Sequence, residues 1–218
     1  MSYSLGIDEA GRGAVVGPLV IAGLLIKKSK QKKLREMDVR DSKEILPKKR
    51  EELAKKIKKI ADDYIILKIS SRQLNKEMER RNLNEIEVSR IAQIINSFWM
   101  RKPEIYLDSV EANTEKFKSK VLAKLKNKDV NIVVENYADC KYVVVSGASI
   151  LAKVARDKEI EKLHKKYGFF GSGYSSDERT IEFLKKLKKD EYREIVRLKW
   201  ITSKNILEEK YQRTLGEF

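Results

Sequence analysis

The chain has 218 residues, with 48 Lys and Arg against 33 Asp and Glu and a formal charge of +15. A hydrophobic share of 41% supports a buried core despite that charge, and the length fits one large domain or a domain with a modest appendage. A single cysteine, Cys140, excludes a disulfide framework or multi-cysteine zinc site, and a single histidine, His164, excludes a centre built on two histidines. No apolar run is long enough for a membrane helix and no leader-like segment opens the chain, so a soluble, cytoplasmic protein is expected. An enzyme of this composition must work mainly with carboxylates and lysines.

In chain order, Ser4 to Ile7 reads as a short strand. Val15 to Ile26 is a second apolar run, with Gly17-Pro18 marking an edge position or a bulge. Pro47, followed by Leu53, Ile57 and Ile60, opens a helix. Tyr64 to Ile69 is a third strand, and Asn84 opens a helix carrying Ile86, Ile91, Ile94, Ile95 and Phe98. Glu104 to Asp108 is a fourth strand, ending in a carboxylate. Thr114 to Lys126 is helical, Asn131 to Val134 is a fifth strand, and a long helix runs from Val144 to Tyr167, ended by Gly168. Further helices are expected from Glu178 to Lys188 and from Lys204 to Arg213. Three strands in succession suggest an antiparallel meander, and the alternation that follows suggests parallel additions. The expected architecture is α/β, a mixed five-stranded sheet flanked by helices. Residues 1–167 would form the main domain, 168–211 a helical C-terminal subdomain, and 212–218 a tail.

The charge is uneven. Between Lys27 and Lys59 there are 15 Lys and Arg against 6 Asp and Glu, a net of +9. Such a stretch suits a polyanion, because phosphates neutralised by cations release condensed counterions; it equally describes a solvated helix surface.

Asp8 and Glu9 directly follow the first strand, Asp108 ends the fourth, and Asp139 comes shortly after the fifth. Residues just past strand ends of an open sheet converge on one edge. Four carboxylates there repel one another unless cations lie between them, and oxygen-only donors suit Mg²⁺ or Mn²⁺. Two such ions can activate water and stabilise a leaving oxygen in phosphodiester hydrolysis. Each acid taken alone is also a plausible turn or capping residue; the convergence of four in a basic chain favours the metal site. Gly11-Arg12-Gly13 would let backbone amides approach a phosphate or sugar, or would simply be a tight turn. Asp41-Ser42-Lys43 offers a phosphate contact at Lys43, or a capped solvated loop.

These residues resemble a known family. Gly6-Ile7-Asp8-Glu9-Ala10-Gly11-Arg12-Gly13 is similar to the signature of ribonuclease HII, the type 2 ribonuclease H. The likeness continues through Gly17-Pro18-Leu19-Val20, Asp41-Ser42-Lys43, Tyr106-Leu107-Asp108-Ser109 and Ala138-Asp139-Cys140-Lys141-Tyr142. It extends over residues 146–157, Gly171 to Asp177, and Val196-Arg197-Leu198-Lys199-Trp200. It covers nearly the whole chain and is closest in kind to the archaeal, single-subunit branch.

The resemblance implies a ribonuclease H-like fold with a helical C-terminal part. It implies a metal-dependent endonuclease acting on the RNA strand of RNA–DNA hybrids and on single ribonucleotides in duplex DNA. The cut would fall 5′ of the ribonucleotide and leave a 3′-hydroxyl and a 5′-phosphate. By motif position, Asp8, Glu9, Asp108 and Asp139 would hold two divalent ions, Mg²⁺ or Mn²⁺. Gly11, Arg12 and Gly13 would read the 2′-hydroxyl, the group that separates RNA from DNA. Tyr174 would lie against the sugar, with Lys43, Ser149 and Lys153 near phosphates or supporting the site. A monomer is expected.

Three positions depart from the family pattern: Ala14 and Ser175 stand where prolines are expected, and Gly147 where alanine is expected. The two lost prolines would loosen substrate loops. Cys140 is read as a small spacer, His164 as a solvated helix residue and Trp200 as core.

The tail Gln212-Arg213-Thr214-Leu215-Gly216-Glu217-Phe218 resembles the motif that docks on the sliding clamp, proliferating cell nuclear antigen. Its spacing puts Leu215 and Phe218 on one face of a single helical turn, with Gln212 three residues before Leu215, although an ordinary C-terminus can match so short a pattern. Two other readings compete with the nuclease: a non-catalytic binder of hybrids, and another phosphoryl-transfer enzyme on the same sheet. A pure binder has no need of clustered acids in a basic groove.

Overall fold

The computed structural model describes residues 2–39 and 45–215, without the side chains of 189–190 and 211–215. Asp41-Ser42-Lys43, Phe218 and the side chains of Gln212 and Leu215 therefore lie outside the described residues. Five strands form one sheet: β1 (Tyr3–Ala10), β2 (Leu19–Lys27), β3 (Asp63–Ile69), β4 (Glu104–Asp108) and β5 (Ile132–Glu135), in the order β3-β2-β1-β4-β5. β1 is antiparallel to β2 and parallel to β4, and β4 is parallel to β5. The sheet is mixed, as expected.

Around the strands come α1 (Gln31–Glu36), α2 (Pro47–Ile60), α3 (Ser71–Glu77), α4 (Leu83–Phe98), α5 (Thr114–Lys124), α6 (Ala138–Lys141) and α7 (Val143–Tyr167). α8 (Glu178–Lys186), α9 (Lys189–Ile195) and α10 (Ile201–Leu215) follow. Pro47 occupies the first turn of α2, where its missing N–H has no helical partner to lose. Ser70 and Gln73 cap α3 reciprocally, satisfying two backbone N–H groups that the first turn leaves unpaired.

The chain divides into two compact units. The first comprises Met1–Ala10, Val20–Leu67 and Leu83–Ala155. In its core, Leu24 and Ile26 of β2 pack with Leu53 and Ile57 of α2 and with Val144, Ala148 and Leu151 of α7. Truncating a fully buried member such as Ile57 to alanine would cost about 2–5 kcal/mol. Alternation along β1 puts Gly6 and Asp8 on the same face. A Cβ on Gly6 would lie 2.3 Å from Val144 O, so only glycine lets α7 settle directly on the strand. That close approach brings α7 to the face from which Asp8 projects.

The second unit comprises Gly11–Leu19, Lys68–Asn82 and Arg156–Phe218. Its core joins Val15 and Val16 to Ile160, Phe170, Leu184, Tyr192, Ile195 and Val196. The Ser71 hydroxyl sits 3.0 Å from Gly17 O and 2.8 Å from Ile195 O, tying α3 to these segments.

Several details differ from the sequence-based expectation. β1 continues to Ala10 because its pairing with β2 persists to Ala10↔Val20, so Asp8 and Glu9 lie inside the strand. The apolar run from Val15 to Ile26 is not one strand. Gly17 adopts φ +87 and Pro18 has no N–H to give, so β2 starts at Leu19. A further helix, α1, precedes α2 between β2 and β3. The two units divide within α7, between Ala155 and Arg156.

Candidate active site

β1 and β4 run parallel with Ile7 beside Leu107, so Asp8 and Asp108 follow at the same level of the sheet. One carboxylate oxygen from each of Asp8, Glu9 and Asp108 lies within 4.8 Å of the others. Asp8 is buried, at 6% exposure, while Glu9 and Asp108 are half-buried. The Glu9 amide donates to Asp8 Oδ1 at 2.7 Å, and the Ala138 amide donates to Asp108 Oδ1 at 2.7 Å. The second bond ties the start of α6 to the end of β4.

From α7, Lys153 Nζ donates to Ser149 Oγ at 2.7 Å, and Ser149 hydrogen-bonds the Asp8 carboxylate. The two residues are four apart on the helix and so share a face. Burial pushes the Asp8 carboxyl up to about 7. The Ser149 hydrogen bond works against that rise, the negative charge of Asp108 adds to it, and Lys153 and the Glu9 amide oppose it. A buried carboxylate beside two others is costly when ionised, and a divalent cation reverses that cost. The donor set, all hard oxygens, fits Mg²⁺ or Mn²⁺.

Of the four acids marked in the sequence, the structure thus brings three together. Asp139, half-buried in α6, is not in that group. Its backbone carbonyl accepts a 2.6 Å hydrogen bond from Ser146 Oγ, and Cys140 Sγ lies 3.6 Å from its Oδ1. Beside Asp108 opens a recess of about 360 Å³ lined by Ser109, Glu111, Asn136 and Tyr137 among others. Tyr137 is 70% exposed.

Within the second unit, the structure brings the Gly11-Arg12-Gly13 turn to Tyr174. Ala14 pairs with Tyr174, and the Val15 and Val16 amides donate to Gly173 O at 2.8 and 3.0 Å. Gly11 has φ +83. A Cβ on Gly13, by contrast, would meet nothing within 4 Å, so its lack of a side chain answers no packing need of the protein. Ala14 is fully buried, and its amide lies 3.3 Å from Gly11 O. A proline at that position would have no N–H for this contact, so the substitution does not simply loosen the turn.

The Tyr174 loop is braced from several sides. The Ser172 amide donates to Asp177 Oδ2 at 2.8 Å, and the Gly173 amide to Thr180 Oγ1 at 3.1 Å. Arg179 holds the Asp177 carboxyl well below its usual range. His164 is not a solvated helix residue: it packs on Phe169 and Phe170, and its Nε2–H donates to Gly171 O at 2.9 Å. Sequence reading passed over two buried arginines. Arg197 donates to Arg12 O and Gly17 O at 2.9 and 3.0 Å and stacks on Trp200, while Arg156 lies over the Tyr174 ring. Their signal, an arginine within an apolar context, is too common to single them out.

Comparison with known proteins supplies the family. The Ribonuclease HII family model matches residues 5–203. A ribonuclease HII of Pyrococcus horikoshii is 42% identical over 217 residues, covering 98% of this chain and 97% of that protein. The crystal structure of ribonuclease H2 from Pyrococcus horikoshii matches with a TM-score of 0.84 at 41% identity, over 95% of this chain and 98% of that one. The structure of the PCNA:RNase HII complex from Archaeoglobus fulgidus matches with a TM-score of 0.81 at 40% identity, over 93% and 96%. The ribonuclease H-like fold expected from the sequence is therefore the fold found. With its carboxylate cluster at the ends of β1 and β4, the chain belongs to the ribonuclease HII family and is a metal-dependent ribonuclease H.

Proposed function

We propose that this protein hydrolyses the RNA strand of RNA–DNA hybrids and incises duplex DNA 5′ of embedded ribonucleotides, leaving 3′-hydroxyl and 5′-phosphate ends. The observation that carries this reading is the grouping of Asp8, Glu9 and Asp108 in a chain of net charge +15 that belongs to this family. A pure binder of polyanions has no use for a buried acid whose ionised form is disfavoured.

Asp8, Glu9, Asp108 and Asp139 would hold two divalent ions, Mg²⁺ or Mn²⁺, with Asp139 assigned by its motif position. Bound there, the ions supply an activated water and charge stabilisation at the leaving oxygen. The chain's own part is orientation. Ser149 fixes the Asp8 carboxylate, and Lys153 holds Ser149 while placing a positive charge near the acids. Gly11, Arg12 and Gly13 read the 2′-hydroxyl, the open space at Gly13 leaving room for close approach of a sugar. Tyr174 contacts that sugar, and Lys43 contacts a phosphate. The basic stretch from Lys27 to Lys59 tracks the duplex backbone.

The protein would act as a monomer in the cytoplasm, removing ribonucleotides during DNA replication and repair. Among the described residues, no helix is long and apolar enough to cross a membrane. Gln212, Leu215 and Phe218 would dock on a sliding clamp. Support comes from the tail sequence and from the Archaeoglobus fulgidus relative, whose structure was solved as a complex with PCNA. Equal clamp affinity for the intact chain and a chain ending at Arg213 would refute that part.

The substrate reading is tested by incubating the protein with a DNA duplex carrying one ribonucleotide, an RNA–DNA hybrid and an all-DNA duplex. Each is run with Mg²⁺, with Mn²⁺ and with chelator. Metal-dependent incision 5′ of the ribonucleotide is expected, with the all-DNA duplex intact. Cleavage of the hybrid alone would reject the single-ribonucleotide reading.

A further inference from the structure

Arg156 is a buried charge in the second unit that the proposed chemistry leaves without a task. It is 6% exposed, and burial lowers its pKa from the usual arginine value. Its guanidinium carbon lies 4.6 Å from the centre of the Tyr174 ring, and its Nη2 donates to Ser172 O at 2.9 Å. Its Nε has no hydrogen-bond partner among the described residues. An unpaired buried N–H opposes folding, so the Ser172 hydrogen bond and the Tyr174 ring contact are what hold the guanidinium in place.

The surroundings are shaped to its planar head. A Cβ on Gly11 would lie 2.4 Å from Arg156 Nε, and one on Gly173 would lie 3.3 Å from Nη2. Both glycines have positive φ, +83 and +80. The turn that starts at Gly11 and the loop that carries Tyr174 thus close on one guanidinium, from two places far apart in the chain. Arg197 supports the same turn differently, through the carbonyls of Arg12 and Gly17.

We infer that Arg156 is a positioning residue: it fixes the Tyr174 ring relative to the Gly11 turn and thereby sets how strongly a single ribonucleotide is preferred. This rests on the reading of Tyr174 as a sugar contact. Arg156 touches no reacting atom and acts through the tyrosine. A lysine could keep the charge but not the planar fork that faces the ring and reaches Ser172 O together.

The experiment measures kcat and KM with Mg²⁺ on the single-ribonucleotide duplex and on the RNA–DNA hybrid. The proteins are wild type, Arg156→Met, Arg156→Lys, Tyr174→Ala and the double variant Arg156→Met/Tyr174→Ala. Arg156→Met is expected to lower kcat/KM on the single-ribonucleotide duplex about tenfold, the scale of one buried cation–π contact, and to change the hybrid less. The Mg²⁺ concentration for half-maximal rate should stay at the wild-type value. The double variant should match Tyr174→Ala within about twofold, because residues that act as a unit are not additive. Multiplying effects would overturn the inference, as would an equal loss on both substrates accompanied by a lowered melting temperature. Wild-type behaviour of Arg156→Met with an impaired Tyr174→Ala would overturn the positioning role and leave the sugar contact standing. Wild-type behaviour of Tyr174→Ala would remove both. If Arg156→Met does not fold, Arg156→Lys and its pairing with Tyr174→Ala serve for the same cycle, with a loss of about threefold expected.

Discussion

Replacing Asp8 with asparagine should make the metal-free protein more stable while abolishing cleavage. Asp8 is 6% exposed, and burial raises its carboxyl to about 7 from 3.8. In the unfolded chain the carboxyl ionises near its ordinary value. Between these two pH values the folded protein holds a proton that the unfolded chain has lost, so stability falls as pH rises across that window. A difference of about three pK units, at ~1.4 kcal/mol each, gives an upper figure of ~4 kcal/mol against folding above pH 7. Asparagine keeps the volume and an oxygen to accept from the Glu9 amide, and it carries no charge. It loses the stronger hydrogen bonds of a carboxylate, which takes back part of the gain. A net stabilisation of about 2 kcal/mol remains, equivalent to roughly 4–8 °C for a chain of this size. Calorimetric melting in chelator at pH 8 and pH 4 reads it directly. The variant should melt higher at pH 8 and near the wild type at pH 4, where the wild-type carboxyl is protonated. A lower or equal melting temperature at pH 8, or a difference independent of pH, would refute the reasoning.

The same raised carboxyl sets the pH dependence of metal binding. Protons compete with the cation below pH 7, so Mg²⁺ affinity measured by isothermal titration should fall about 25-fold from pH 7.5 to 5.5; no change would contradict it. Ser149→Ala removes a hydrogen bond that lowers the Asp8 pKa, so the midpoint of that pH profile should move up by about 0.5–1 unit. An unshifted midpoint would show that Ser149 does not tune Asp8. Gly11→Ala meets Arg156 Nε and a φ of +83, and should cost about 2–4 kcal/mol in denaturant unfolding. Gly13→Ala should change stability by less than about 0.5 kcal/mol yet slow single-ribonucleotide cleavage, and wild-type kinetics would reject its proposed contact.

The strands that carry chemistry were legible because each holds a short apolar run followed by an acid. β4 ends at Asp108 as its composition suggests, and Asp8 follows an apolar stretch in β1. Gly11, Arg12, Gly13 and Tyr174 were marked by resemblance, and pairing across their two loops brings them together. What stayed hidden depends on contacts without local signals. Arg197 is buried because it reaches carbonyls 180 and 185 residues away. Val15 and Val16 read like the start of β2, since only the backbone turn at Gly17 diverts them to the other unit. α1, α3, α6 and α9 span four to seven residues, too few turns to show an apolar stripe. His164 looked solvated because its neighbours in sequence are charged, although its ring partners, Phe169 and Phe170, lie just beyond Gly168.

The most direct test of the account is anomalous diffraction from crystals of the protein grown with Mn²⁺. The account requires manganese bound by the carboxylates of Asp8, Glu9 and Asp108, and its loss in crystals of Asp8→Asn. Manganese bound elsewhere with this cluster empty, in a protein that still cleaves, would contradict it.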